Sequence, residues 1–141
     1  MRFLFKRVLR IIIFGLVVCV PTFTHAATLR LSPDTGVYVS GKNFTVQVIL
    51  NTQGKPINAA DAELTFNPRE LSVVSVAKGS LFTLWTLEPT FSNAQGTVSF
   101  GGGSPQGYNG SNGSILSVTF RSASAGAPKV TFKNGSVLAA D

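Results

Sequence analysis

The sequence has very few of the residues that carry most enzyme chemistry. Among its 141 residues there is one cysteine, Cys19, and one histidine, His25, and both lie near the N-terminus. If that segment is removed on export, as its pattern predicts, the remaining chain has neither residue. It then has no disulfide, no Cys or His nucleophile, no Ser-His-Asp triad and no ordinary zinc site. We therefore expect no metal, no cofactor and no enzymatic activity.

Charge is also scarce, and it is unevenly distributed. Charged residues make up 13% of the chain and hydrophobic residues 44%, and the net charge is +6. Four of the twelve basic residues lie within the first ten positions, and without them the net charge falls to about +2. A nucleic-acid-binding protein carries its positive charge on the folded domain. Nucleic acid is therefore excluded as a partner.

The N-terminus has the organisation of a secretory signal. A basic stretch, residues 1–10, precedes an apolar run at 11–20, and Pro21 and the small residue Ala26 follow. As a helix this run spans only about 15 Å, half of the roughly 30 Å of a bilayer core. The pattern predicts a signal peptide over 1–26, a mature domain over 27–141 without a stable membrane span, and a secreted or cell-surface location. An uncleaved membrane anchor is the alternative.

Apolar and polar residues alternate along most of the remaining chain, with turn residues between the alternating segments. This period of two is typical of strands that are buried on one face. The inward faces of three predicted strands are Phe44, Val46, Val48 and Leu50; Ala60, Ala62, Leu64 and Phe66; and Leu116, Val118 and Phe120. Ile49 is predicted to face outward. Eight to nine short strands at near-regular spacing favour an all-β antiparallel sandwich, with a barrel as the alternative.

Two segments are predicted to be irregular. The glycine-rich residues 101–114 lack the lysine and following helix of a phosphate-binding loop, and we expect a long flexible loop there. Tyr108 at its centre is a candidate ligand contact. Asn134-Gly135 predicts a turn between two strands. Residues 81–91 are apolar without clear alternation, and they contain the only tryptophan, Trp85, the second candidate ligand contact.

Asp61, Glu63 and Thr65 lie two residues apart and so share the outward face of one predicted strand. Two nearby carboxylates can serve a glycosidase or bind calcium, but no other acidic residue is close in sequence. We interpret the row as a surface that contacts a partner.

The order of these segments resembles that of the cohesin family. The resemblance is carried by residues 56–68, which end in the turn Phe66-Asn67-Pro68, and by residues 71–79, a valine-rich strand that ends in glycine. The flanking strands at 28–32, 39–48, 96–100, 115–120 and 130–132 agree with it. The resemblance implies a jelly-roll sandwich. It also implies binding to a dockerin-like protein module, which carries the calcium of such complexes, in polysaccharide-degrading or surface assemblies.

The chain departs from the family in two places. Asp61 occupies the position of an Asp that contacts dockerin in well-known cohesins, but Ala59 stands where those proteins have Asn. The family's last strand, which pairs beside the first, has no counterpart before Asp141, so we expect it to be missing and the first strand to have a free edge.

Two other functions remain open. A related fold occurs in carbohydrate-binding modules, so direct binding of polysaccharide through Trp85 or Tyr108 is the alternative to a protein partner. A free strand edge would also suit a structural adhesin that receives a strand from another chain.

Overall fold

The alternating segments form eight strands in the structure, a computed structural model that describes residues 26–140. The strands are β1 (Thr28–Ser32), β2 (Asn43–Asn51), β3 (Ile57–Phe66), β4 (Leu71–Lys78), β5 (Leu84–Ser92), β6 (Thr97–Tyr108), β7 (Gly113–Ser122) and β8 (Val130–Ala139). No helix occurs in the described residues, so none there is long and apolar enough to cross a membrane. Nearly all of the predicted signal segment lies outside them.

The strands make two antiparallel four-stranded sheets that pack face to face. One has the order β1-β2-β7-β4 and the other β5-β6-β3-β8. The predicted all-β sandwich is therefore confirmed. The core between the sheets consists of the inward rows of β2, β3 and β7, joined by residues of β4 and β6. Its fully buried members include Leu50, Leu64, Phe100, Leu116 and Phe120.

The burial of one side chain on β2 differs from the prediction. Ile49 was predicted to face outward, but only 5% of its surface is exposed. The pairing of β2 with β7 shifts register between Val48 and Ile49. Leu50, which follows the shift, still enters the core as the alternation predicts, whereas Ile49 is buried outside the core cluster that contains Val48 and Leu50.

The glycine-rich segment is largely a strand, so the prediction of a flexible loop was wrong. Residues as far as Tyr108 belong to β6, and β7 begins at Gly113. The glycines are needed for close packing: a Cβ on Gly103 would overlap the carbonyl oxygen of Asn58 on β3, and one on Gly102 would lie 2.5 Å from the carbonyl oxygen of Leu84. Their small size permits close approach of three backbones, which composition alone does not reveal.

The predicted turn at Asn134-Gly135 is also wrong. Both residues lie within β8, opposite Glu63 and Ala62 of β3. The register shifts nearby, and the Asn134 side chain accepts a hydrogen bond from the backbone N–H of Glu63 at 3.1 Å. The strand therefore continues through this dipeptide with a bulge. Similarly, the irregular residues before Phe91 form most of β5, which has two register shifts of its own against β6.

The two sheets leave an open groove along one side. β1 ends one sheet and β8 ends the other, and within residues 26–140 no strand pairs with their outer edges. The groove between them has a volume of about 540 Å³ and is mainly apolar. Its lining includes Leu29, Ile57, Phe132 and Val137, with Lys55 at its margin.

Candidate partner-binding face

Three polar side chains share the outer face of the second sheet, as the alternation of β3 predicts. β3 is a central strand, with β6 on one side and β8 on the other. Asp61 is exposed, and Glu63 and Thr65 are half-buried. The row therefore lies in the middle of a four-stranded surface.

Each residue of the row contacts a side chain on a neighbouring strand. The hydroxyl of Ser136 donates a hydrogen bond to Asp61, and Thr65 shares one with Thr131 at 3.2 Å. Glu63 accepts a hydrogen bond from Ser99 of β6 at 3.2 Å. Such cross-strand contacts fix side-chain rotamers, so the row is held in place before any partner arrives.

Lys133 neutralises one of the two carboxylates. Its Nζ lies 2.8 Å from a carboxylate oxygen of Glu63. The hydrogen bond from Lys133 is the main cause that lowers the pKa of Glu63; desolvation opposes it, while the positive charge of Lys133 and the Ser99 hydroxyl reinforce it. Glu63 is therefore ionised and paired at neutral pH. Asp61 forms no salt bridge to any residue in 26–140 and is the carboxylate available to a partner.

Leucines border the polar row on both sides. Leu84 and Leu87 of β5 are 58% and 46% exposed, and Leu138 of β8 is 60% exposed. Sequence reasoning missed all three, because β5 lacks clear alternation and Leu138 follows the dipeptide that predicted a turn. Exposed apolar side chains that gather on one surface mark sites of protein interaction.

Between β3 and β5 the face is flat because β6 contributes glycines there. Gly101 lies between Asp61 and Leu87, and Gly103 lies beside Ala59. We refer to this surface as the partner face: Ala59, Asp61, Glu63, Thr65, Leu84, Leu87, Gly101, Gly103, Lys133, Ser136 and Leu138. A flat surface of this kind suits a protein, whereas small ligands bind in concave sites.

The two candidate aromatic contacts lie elsewhere. Trp85 follows Leu84 on β5 and points to the other side of the sheet, where its ring packs edge-on against Phe82 at 5.3 Å. The Nζ of Lys78 lies 5.1 Å from the centre of the same ring. Trp85 therefore offers no open platform for a sugar ring. Tyr108 lies at the end of β6, half-buried against the core.

A metal site of protein ligands is not apparent in the part of the chain that the structure describes. No group of three or more His, Cys, Asp or Glu side chains comes together there. Asp61 and Glu63 are neighbours on the face, but each is engaged by a residue of β8.

The fold and this face together define a β-sandwich module with a flat surface of the kind that binds a protein. The sequence over residues 31–141 matches the cohesin domain family. The chain belongs to the cohesin family, as its resemblance predicted, and cohesin domains are binding modules rather than catalysts. No curated protein matches it.

Solved cohesins share the fold at low sequence identity. The sixth cohesin of scaffoldin B from Acetivibrio cellulolyticus, solved with a mutant dockerin, is 19% identical with a TM-score of 0.62, covering 80% of this chain and 86% of that one. The OlpA cohesin of Clostridium thermocellum, also solved with a dockerin, is 10% identical with a TM-score of 0.60 over 79% and 84%. A non-cellulosomal cohesin from the archaeon Archaeoglobus fulgidus is 17% identical with a TM-score of 0.54 over 77% and 78%.

Proposed function

We propose that this protein is an exported, non-catalytic cohesin module that binds a dockerin-like protein through the partner face. The observation that carries the proposal is the pre-ordered polar row at Asp61, Glu63 and Thr65, bordered by exposed leucines on an otherwise flat sheet. Membership of the cohesin family supports it, as do solved relatives that hold dockerins. The partner, not this chain, carries calcium.

The physical basis of binding is a combination of two contributions. Burial of Leu84, Leu87 and Leu138 removes apolar surface from water, at about 25 cal/mol per Å². Asp61 accepts a charge-assisted hydrogen bond from a donor on the partner, and such bonds are stronger than neutral ones. The apolar border favours association in general, while the polar centre selects a partner with matching donors.

Capture from the source organism tests the proposal. The exported protein is immobilised and exposed to secreted and envelope proteins, and bound material is eluted with a calcium chelator and identified by mass spectrometry. We expect a calcium-dependent partner with duplicated EF-hand-like loops. The variant Asp61→Ala/Glu63→Ala should not retain it.

Gln47→Ala is the matched control, because Gln47 is exposed on the other sheet. It should retain the partner as the unchanged protein does. Capture that is equal for both variants would rule out the partner face. An eluate without any calcium-dependent protein would rule out the dockerin-like partner.

The wider setting is also part of the proposal. The predicted signal over residues 1–26 supports secretion or display at the cell surface, in an assembly that degrades polysaccharide or organises surface proteins. N-terminal sequencing of the exported protein tests the first point. A sequence that starts at Ala27 supports cleavage after Ala26, whereas one that starts at Met1 or Arg2 indicates an uncleaved anchor.

A further inference from the structure

A second concave site lies away from the partner face, at the end of the sandwich where β6 turns into β7. It has a volume of about 290 Å³. Its walls come from the segment before β5, the end of β6 and the start of β7. The lining residues are Ser80, Leu81, Ser104, Gly107, Tyr108, Asn112, Gly113 and Ser114. We refer to this site as the Tyr108 hollow.

Two glycines leave the space that the Tyr108 ring occupies. A Cβ on Gly113 would lie 2.8 Å from a ring carbon of Tyr108, and one on Gly110 would lie 2.5 Å from its hydroxyl oxygen. Contacts of this length do not occur for real side chains, so any other residue at either position would displace the ring. The ring of Tyr108 can therefore form one wall of the hollow beside the backbone of these glycines.

The hollow carries polar groups but no charge. Its lining contains no Asp, Glu, Lys, Arg or His residue, and three of the lining residues are serines. The side-chain oxygen of Asn112 already accepts a hydrogen bond from Arg30 at 2.6 Å, which directs the amide group and leaves its N–H donors for another acceptor. The hydroxyls of Ser80, Ser104 and Ser114 add groups that can donate and accept hydrogen bonds. The side chains that line the hollow match a neutral ligand that is rich in hydroxyl groups.

We propose that the Tyr108 hollow binds one neutral sugar residue of a polysaccharide. A sugar ring has an apolar face of C–H groups that packs on an aromatic ring, and a rim of hydroxyls that matches serine and amide groups. The volume is just below the range for small-ligand sites, about 300–1,000 Å³, so it accommodates a single ring and not an extended chain. The site is independent of the partner face and does not rest on the proposed protein partner.

Affinity electrophoresis of the exported protein in native gels tests the proposal. The gels contain a neutral polysaccharide (hydroxyethylcellulose, glucomannan or arabinoxylan) or a charged one (carboxymethylcellulose or polygalacturonate). We expect retardation by at least one neutral polymer and none by the charged ones. Tyr108→Ala should weaken binding roughly tenfold through loss of the ring, while Tyr108→Phe should retain most of it.

A second variant separates ligand binding from folding. Ser80 is exposed, so Ser80→Tyr should fold normally while its larger side chain fills the hollow and abolishes retardation. Leu87→Ala, on the partner face, should migrate like the unchanged protein. No retardation by any neutral polymer would overturn the proposal, and so would retardation that Ser80→Tyr leaves unchanged.

Discussion

Lys133 of β8 reaches across to β3 and places its Nζ 2.8 Å from the carboxylate of Glu63. The two residues are far apart in the sequence and meet because β3 and β8 are neighbours in the second sheet. The carboxylates of Asp61 and Glu63 look equivalent in the sequence, but this contact gives them different environments. Glu63 joins strands of the sheet together, whereas Asp61 is exposed to solvent.

The lowered pKa of Glu63 predicts a pH-dependent contribution to stability. A carboxyl whose pKa is lower in the folded protein stabilises it above the pKa of the unfolded chain, and this stabilisation is lost as the pH falls through the folded pKa. We therefore expect Glu63→Gln to lower the thermal midpoint at neutral pH and to have little effect in acid. Thermal unfolding between about pH 7 and about pH 3 measures the difference.

Lys133→Met is the matched control for that experiment. It removes the main cause of the lowered pKa, so the double variant Lys133→Met/Glu63→Gln should behave nearly like Lys133→Met alone. An effect of Glu63→Gln that is equal at every pH would show that the ion pair does not stabilise the sheet.

The leucine border predicts binding variants that leave the fold intact. Leu84 and Leu87 are each about half exposed, and exposed substitutions usually change stability by only about 0.5 kcal/mol. We expect Leu87→Asp to weaken binding of the dockerin-like partner by tenfold or more, which corresponds to about 1.4 kcal/mol. Titration calorimetry measures the affinity, and thermal unfolding checks the fold. Unchanged affinity for both Leu84→Asp and Leu87→Asp would remove β5 from the interface.

Because Ala59 replaces the Asn of well-known cohesins, we expect this protein to differ from them in the dockerin modules that it prefers. The resemblance to well-known cohesins places an Asn at this position, and here a methyl group lies beside Gly103 on the flat part of the face. Without the amide, a partner loses two donors and an acceptor there. We expect Ala59→Asn to change the relative affinities for a panel of dockerin modules by about tenfold, with Asp61→Ala weakening all of them. Equal changes across the panel would argue against a selective role.

We expect a single methyl group added at Gly103 to lower the stability of the protein. A Cβ there would overlap the backbone of Asn58, whereas a Cβ on Gly101 would meet its nearest neighbours at 3.3 Å. Overpacking of this kind costs about 1–3 kcal/mol. Gly103→Ala should therefore lower the free energy of unfolding by that amount in urea titrations, and the control Gly101→Ala by less. Equal effects would show that the glycines of β6 are not required for close packing.

Gly101→Ala also tests the role of the partner face in binding. Its added methyl group would project between Asp61 and Leu87, in the middle of the partner face. We expect it to reduce partner affinity more than stability, which is the reverse of the effect of Gly103→Ala.

The sandwich, its core and one row of the partner face could be predicted from the sequence without coordinates. Alternation with a period of two dictates which side chains enter the core, as for Leu64 and Phe120, and it places Asp61, Glu63 and Thr65 on the opposite side. The order of the strands was sufficient to reveal the family. These features are local, or are repeated along the chain, so they are visible without coordinates.

Features that depend on which strands are neighbours could not be predicted in this way and emerged from the folded protein. The composition of the glycine-rich segment predicts a loop, but the segment forms a strand because the backbones of β3 and β5 approach it closely. Pairing with β3 extends β8 through Asn134-Gly135. The same pairing joins Lys133 to Glu63, and the path of β5 brings Leu87 beside Asp61 while directing Trp85 inward. Contacts between residues distant in sequence decide these positions, because the close approach of backbones and the pairing of charges exist only after the sheets have assembled.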